Sequence, residues 1–226
     1  MRYQWVIFDA DETLFHFDAA KGMSLMFERM GVPFSEQDYR DYQAQNQPLW
    51  TALQNGDITP EQLKHQRFEA WAKRLNKTTQ ELNSAFFVAM ADICEFLPGA
   101  QHLLKSLHGQ VNMAIITNGF TELQSMRLEK LAITHYFEPI IISEQVGVAK
   151  PDGAIFDAAW QAMGQPNKRE VLMVGDNIQA DIFGGHQAGF DTCWLNRDHK
   201  EKPDHINPTF EIDHLACLTS RLTAEF

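Results

Sequence analysis

After residue 110 the chain alternates between short apolar runs and longer helical patterns, and that alternation leaves few folds open. The runs are Val111–Thr117, Pro139–Ser143, Val171–Gly175 and Thr192–Leu195, and the helical stretches between them are Thr121–Leu131, Ala154–Met163 and Asp181–Ala188. Gly164 and Gly189 stand just past the last two stretches, where a helix stops on a residue that tolerates a left-handed backbone. A fifth run, Trp5-Val6-Ile7-Phe8, ends abruptly at Asp9, the pattern of a strand buried on both faces. Parallel strands cannot be joined by a tight turn, and a helix is the usual crossover. The chain is therefore expected to adopt an α/β fold, a doubly wound parallel sheet of Rossmann-like type.

About a hundred residues separate the first run from the second, far more than one crossover needs. That stretch holds no convincing strand but several helix starts. Thr59-Pro60-Glu61-Gln62 offers an N-cap, a proline at the first helical position and a capping-box glutamine. Thr78-Thr79-Gln80-Glu81 repeats the capping box, and Ser35 precedes an acidic first turn. Residues 17–92 are read as an inserted, all-helical cap, leaving 1–16 and 93–226 for the core. Pro98-Gly99 re-enters that core with another helix, and the polar segment His199–Pro208 reads as a loop.

With 226 residues, 44% of them hydrophobic, the chain can bury a core and a smaller insertion. No window approaches a membrane span, and the first residues lack the features of a signal peptide. The three cysteines, Cys94, Cys193 and Cys217, form neither a disulfide framework nor a metal clamp; all three are expected to be buried small apolar residues in a cytoplasmic protein. The formal charge of −11 opposes non-specific binding of nucleic-acid polymers. It leaves a small phosphorylated substrate open, because a metal ion, one lysine or a helix N-terminus decides that locally.

Four segments carry chemistry. Asp9-Ala10-Asp11-Glu12-Thr13 follows the first strand and puts two carboxylates two residues apart, one suited to attack phosphorus and the other to move a proton. Ile115-Ile116-Thr117-Asn118-Gly119 ends the next strand with a hydroxyl, an amide and a glycine that permits close backbone approach, a turn that can offer the Thr117 hydroxyl and free N–H groups to phosphate oxygens. Val148-Ala149-Lys150-Pro151 supplies a lysine among apolar neighbours. Val174-Gly175-Asp176 ends the fourth strand with an acid able to face Asp9, and Asp181, five residues on, either braces Lys150 or caps its own helix. If the first strand is central, Asp9, Thr117 and Asp176 converge where open α/β sheets bind ligands.

This ordered set resembles the haloacid dehalogenase-like hydrolase superfamily over nearly the whole chain. The resemblance implies that Asp9 is the nucleophile of an aspartyl-phosphate mechanism and Asp11 the acid/base. It implies that Thr117, Asn118 and Lys150 hold the phosphate. Mg²⁺, with Mn²⁺ as a substitute, would be bound by Asp9, Asp176 and the backbone carbonyl of Asp11, with Asp181 in support. Many members carry glycine where this chain has Glu12, a change that removes no reacting group. Dehalogenases proper lack the acid at Asp11. The runs DADETLF, ITNGF, VGVAKP and LMVGD are similar to those of bacterial pyrimidine 5′-nucleotidases within the superfamily. They imply hydrolysis of pyrimidine nucleoside monophosphates such as dUMP, UMP and dTMP.

In the cap, Tyr39, Tyr42, Trp50, Phe68 and Trp71, with Phe15 and Phe17 at its entrance, include candidates to stack on a base, although most aromatics at helical spacing are core. The nine histidines form no zinc motif. A monomer or weak homodimer is expected. Competing readings are a phosphatase of another small metabolite such as phosphoglycolate or a sugar phosphate, a phosphomutase, which would share every core motif, and a non-catalytic phosphate-binding module.

Overall fold

Trp5–Phe8 forms the first strand, β1, and every residue after Trp5 in it is fully buried. In the computed structural model, which describes residues 2–223, five helices follow. They are α1 (Ala19–Arg29), α2 (Glu36–Gln54), α3 (Pro60–Gln66), α4 (Glu69–Leu75) and α5 (Thr79–Asp92). Next come α6 (Ala100–Leu107), β2 (Asn112–Thr117), α7 (Thr121–Lys130), β3 (Ile140–Ile142), α8 (Ser143–Val146) and α9 (Gly153–Ala162). The chain ends with β4 (Val171–Gly175), a π-helical turn (Ile178–Phe183) that continues into α10 (Gly184–Gln187), β5 (Asp191–Leu195), β6 (Phe210–Ile212) and α11 (Leu215–Thr223). Among the described residues no helix is long and apolar enough to cross a membrane.

The six strands make one parallel sheet in the order β3-β2-β1-β4-β5-β6. The central place of β1 follows from its composition: an interior strand with both faces covered must be apolar throughout. Register then positions the chemistry. Phe8 lies opposite Ile115 on one side and Val174 on the other. Asp9 is one residue beyond Phe8, and Thr117 and Asp176 are each two beyond its partners. One face of the sheet is closed by α9, where Ile155, Phe156 and Ala159 pack with Ile7, Ile116 and Met173.

The chain divides into two units. One comprises the chain to His16, Glu95–Gly119 and everything from Ala132 on; the other is Phe17–Cys94 with Phe120–Leu131. The sequence-based division placed 120–131 with the core, but α7 packs on α5, with Phe120 and Leu123 buried in the apolar centre of the helical unit. That centre is aromatic: Phe27 stacks on Phe34 at 4.7 Å and meets Trp71 at 4.3 Å. Tyr42, Phe68 and Trp71 are buried in it, so these rings are packing residues, while Phe17 is exposed. Phe15, read as part of the cap entrance, is buried in the sheet unit against Phe96. Cys94 and Cys193 are buried as expected; Cys217 is exposed, because it lies on a face of α11 turned away from buried Leu215, Leu218 and Leu222.

Candidate active site

The loop leaving β1 is closed by its own backbone. The Asp9 N–H continues the ladder to the Val174 carbonyl at 2.9 Å, and the Leu14 and Phe15 N–H groups return to the Ala10 carbonyl at 2.9 and 3.0 Å. Thr13 is fully buried beneath it. Its hydroxyl accepts from the Asp176 N–H at 3.1 Å and lies 3.4 Å from Asp176 Oδ1, so the last residue of the D-x-D-x-T run fixes the acid that ends β4. Trp194 on β5 holds Asp176 from the other side, its indole N–H donating to the Asp176 carbonyl at 2.9 Å.

Lys150 sits at the centre, 3% exposed. Its ammonium donates to Asp9 Oδ1 (2.6 Å), Asp181 Oδ1 (2.6 Å) and the Ile116 carbonyl (2.7 Å), which uses all three of its donors. Asp181 thus braces Lys150. Its second oxygen accepts from the Asn177 N–H at 3.0 Å, while the cap of the π-helical turn is Asn177, whose side chain accepts from Gln179 and Ala180. Gly175 makes room for this. A Cβ there would stand 2.2 Å from Asp181 Oδ2, so only glycine lets the carboxylate reach the lysine. Asn118 serves the same segment: its carboxamide accepts from the Lys150 N–H at 2.7 Å and donates to the Lys150 carbonyl at 3.0 Å. The Asn118 side chain is thereby committed to clamping the Lys150 backbone. Thr117 is buried, and its hydroxyl accepts from the Gly119 N–H at 3.1 Å.

Carboxylate oxygens of Asp9, Asp176 and Asp181 lie within 4.8 Å of one another; the Asp11 carboxylate is outside this cluster. Burial pushes the Asp9 carboxyl well above the usual range, more than Lys150 pulls it down, and Asp181 and Asp176 push the same way. Burial, then Asp181, raises Asp176 to about 6. Burial acts to lower Lys150, but Asp181 and Asp9 outweigh it and hold the ammonium above its ordinary value. Three acids face one ammonium in a buried setting whose free ligand atoms are oxygens, so ionising all three leaves two negative charges uncompensated. That donor set and charge deficit fit a hard divalent cation. Asp9 Oδ2 has no hydrogen-bond partner among the described residues, so one oxygen of that carboxylate is anchored and the other is available.

Asp9, Lys150, Asp176 and Asp181 thus come together beyond the carboxyl ends of the central strands, whereas the Asp11 carboxylate lies outside the acid cluster and Tyr39, Tyr42, Trp50, Phe68 and Trp71 belong to the helical unit. Thr13, Gly175, the Ile116 carbonyl and Trp194 were not assigned roles. Thr13 was visible as part of the first motif. The other three act through space between strands, which no spacing along the chain reveals.

A family model described as haloacid dehalogenase-like hydrolase matches residues 3–189. The chain belongs to that family. It is accordingly an enzyme, a hydrolase. It is 51% identical over 222 residues, 98% of this chain and 99% of the relative, to the pyrimidine 5′-nucleotidase YjjG of Escherichia coli (strain K12). It is 34% identical to the pyrimidine 5′-nucleotidase PynA of Streptococcus pneumoniae (strain ATCC BAA-255 / R6), with 98% of each chain covered. Among solved structures, the HAD-hydrolase YfnB from Bacillus subtilis bound to magnesium is similar with a TM-score of 0.83 at 31% identity, covering 99% of this chain and all of that one.

Proposed function

We propose that the chain is a Mg²⁺-dependent phosphomonoesterase that hydrolyses pyrimidine nucleoside 5′-monophosphates through an aspartyl-phosphate on Asp9. The observation that carries the reading is Asp9 itself: a buried carboxylate with Oδ1 held by Lys150 and Oδ2 available, at the carboxyl edge of the sheet. The pyrimidine preference is taken from the two relatives named for it.

Asp9 attacks phosphorus as the ester bond to the leaving oxygen breaks, and Asp11 donates the proton that oxygen needs. Asp11 then takes a proton from the water that attacks the phosphorus, freeing inorganic phosphate and Asp9. The Thr117 hydroxyl and the Asn118 peptide N–H orient the phosphate oxygens, and Lys150 aims Asp9 and favours its ionised form against burial. Mg²⁺ would be held by Asp9, Asp176 and the Asp11 carbonyl; when bound it supplies positive charge against the phosphate oxygens.

Asp9→Asn is expected to lower kcat by more than ~10³-fold with the fold intact, because an amide is a poor nucleophile. A phosphate-release panel tests the substrate class: dUMP, UMP and dTMP should exceed dAMP in kcat/KM by a factor on the order of tens. A purine nucleotide, phosphoglycolate or a hexose phosphate outrunning every pyrimidine nucleotide would overturn the substrate assignment, and near-wild-type turnover by Asp9→Asn would overturn the nucleophile.

A further inference from the structure

The loop after β1 turns on Glu12, whose φ of +57° lies in the left-handed region that L side chains resist. The loop depends on that conformation. The Glu12 N–H donates to the Phe15 carbonyl at 2.7 Å, opposite the bonds from Leu14 and Phe15 to Ala10, and this closure brings Thr13 under Asp176. Glycine would adopt such a backbone freely, whereas glutamate needs something to hold it there. Its side chain shows what does. One carboxylate oxygen is paired with the Arg197 guanidinium, and the other lies 3.1 Å from His16 Nδ1.

Arg197 extends from a turn that is itself firmly held. Its neighbour Asn196 is buried and donates its N–H to the Ile212 carbonyl at 2.7 Å. The Asn196 carboxamide donates to the Lys200 carbonyl (3.0 Å) and Glu211 Oε1 (2.7 Å) and accepts from the Lys200 N–H (2.8 Å). The ion pair therefore joins the loop after β1 to the turn after β5, and β4 runs between those two strands. Asp176, just past the end of β4, is gripped from the same two sides, by Thr13 and by Trp194.

We propose that Arg197 is a positioning residue for this site: paired with Glu12, it locks the β1 loop in the left-handed turn that sets Asp11 and Thr13, and so strengthens the hold on a divalent cation. Without the pair the loop spends part of its time with Glu12 in an ordinary backbone conformation, and apparent cation affinity falls with the fraction that stays competent. The inference rests on the metal-assisted chemistry proposed above.

The test is a coupling experiment. Arg197→Gln and Arg197→Lys are made in the otherwise wild-type chain and in the Glu12→Gly background. Mg²⁺ is titrated calorimetrically into metal-stripped protein, and thermal melts are run in EDTA. Arg197→Gln should weaken Mg²⁺ binding about 3- to 10-fold when Glu12 is present, and Arg197→Lys should recover part of that loss by keeping the charge. In the Glu12→Gly background neither change should weaken binding. The melts separate this from general damage, and Arg197→Lys carries the test if Arg197→Gln melts early. Equal weakening in both backgrounds, or no weakening in either, would overturn the latch. Failure of the unsubstituted protein to bind Mg²⁺ would refute the metal reading first and the latch with it.

Discussion

Lys150 shows how much of this site is decided at single residues. Its ion pair with Asp181 is buried on both sides, with side-chain exposures of 2% and 0%, so solvent screening removes little of its worth. Taking away one partner strands the other, which typically costs about 3 kcal/mol. Lys150→Met, which leaves both Asp181 and Asp9 without their buried cation, is therefore expected to lower Tm by roughly 6–12 °C in EDTA. An unchanged melt would show that the pair adds no net stability. The cysteines give a second prediction at this scale. Burial raises the Cys193 thiol to about 12, with Arg221 opposing only weakly, and Cys94 is buried too. Exposed Cys217 should then be the only thiol in the native protein to react quickly with a disulfide reagent, and Cys217→Ser should abolish that fast phase. A fast phase that survives the substitution would contradict the burial of the other two.

The helix starts were legible because a capping box is a local device. Ser35, Thr59 and Thr78 each accept from the third backbone N–H of their helix, and Asp38, Gln62 and Glu81 reach back in return. Thr78→Ala, at the head of the helix that carries buried Leu82, Phe86, Phe87 and Met90, should cost about 1 kcal/mol by denaturant melt. Strand β6 and helix α11 were not legible. Three residues of strand carry too little alternation to register, and Phe210–Ile212 is a strand only because β5 offers it an edge. Arg67 illustrates the same limit in the helical unit. It is buried, donates to Asn83 Oδ1, and lies 5.2–5.3 Å from the rings of Phe68, Phe86, Phe87 and Phe120. An arginine at the end of a short helix reads as surface charge until neighbouring helices close over it. Asn83→Ala would leave that cation with Tyr42 as its remaining polar partner and should cost about 1–2 kcal/mol; a loss well under 1 kcal/mol would mean that Tyr42 and the rings suffice.

For the molecule as a whole, the acids around Lys150 set how stability responds to pH and metal. Burial, then Asp181, holds the Asp176 carboxyl near 6, above the unfolded value of about 4, so the metal-free fold prefers it protonated. The sign follows from linkage: that contribution is fully present below about 4 and is lost as pH rises through about 6. Asp9, raised by burial, acts in the same direction. Tm in EDTA should therefore fall from pH 5 to pH 7.5, and the increment on adding Mg²⁺ should grow over that interval, because the cation binds the ionised carboxylates. Comparing Mg²⁺ with EDTA at each pH cancels exposed groups such as Asp38 and Glu81, whose capping bonds lower their carboxyls. An increment that shrinks toward pH 7.5 would refute the assignment. The strand–helix alternation, the inserted helices and the order of Asp9, Thr117, Lys150 and Asp176 were all determined by the sequence alone, since periodicity and caps are local properties of a chain. Tertiary structure decided the rest: that Asn118 clamps a backbone, that Gly175 yields space to Asp181, that α7 joins the helical unit, and that Glu12 is held by a residue far along the chain. Each of these depends on which strands and helices become neighbours, and distances through space are written only once the sheet has closed.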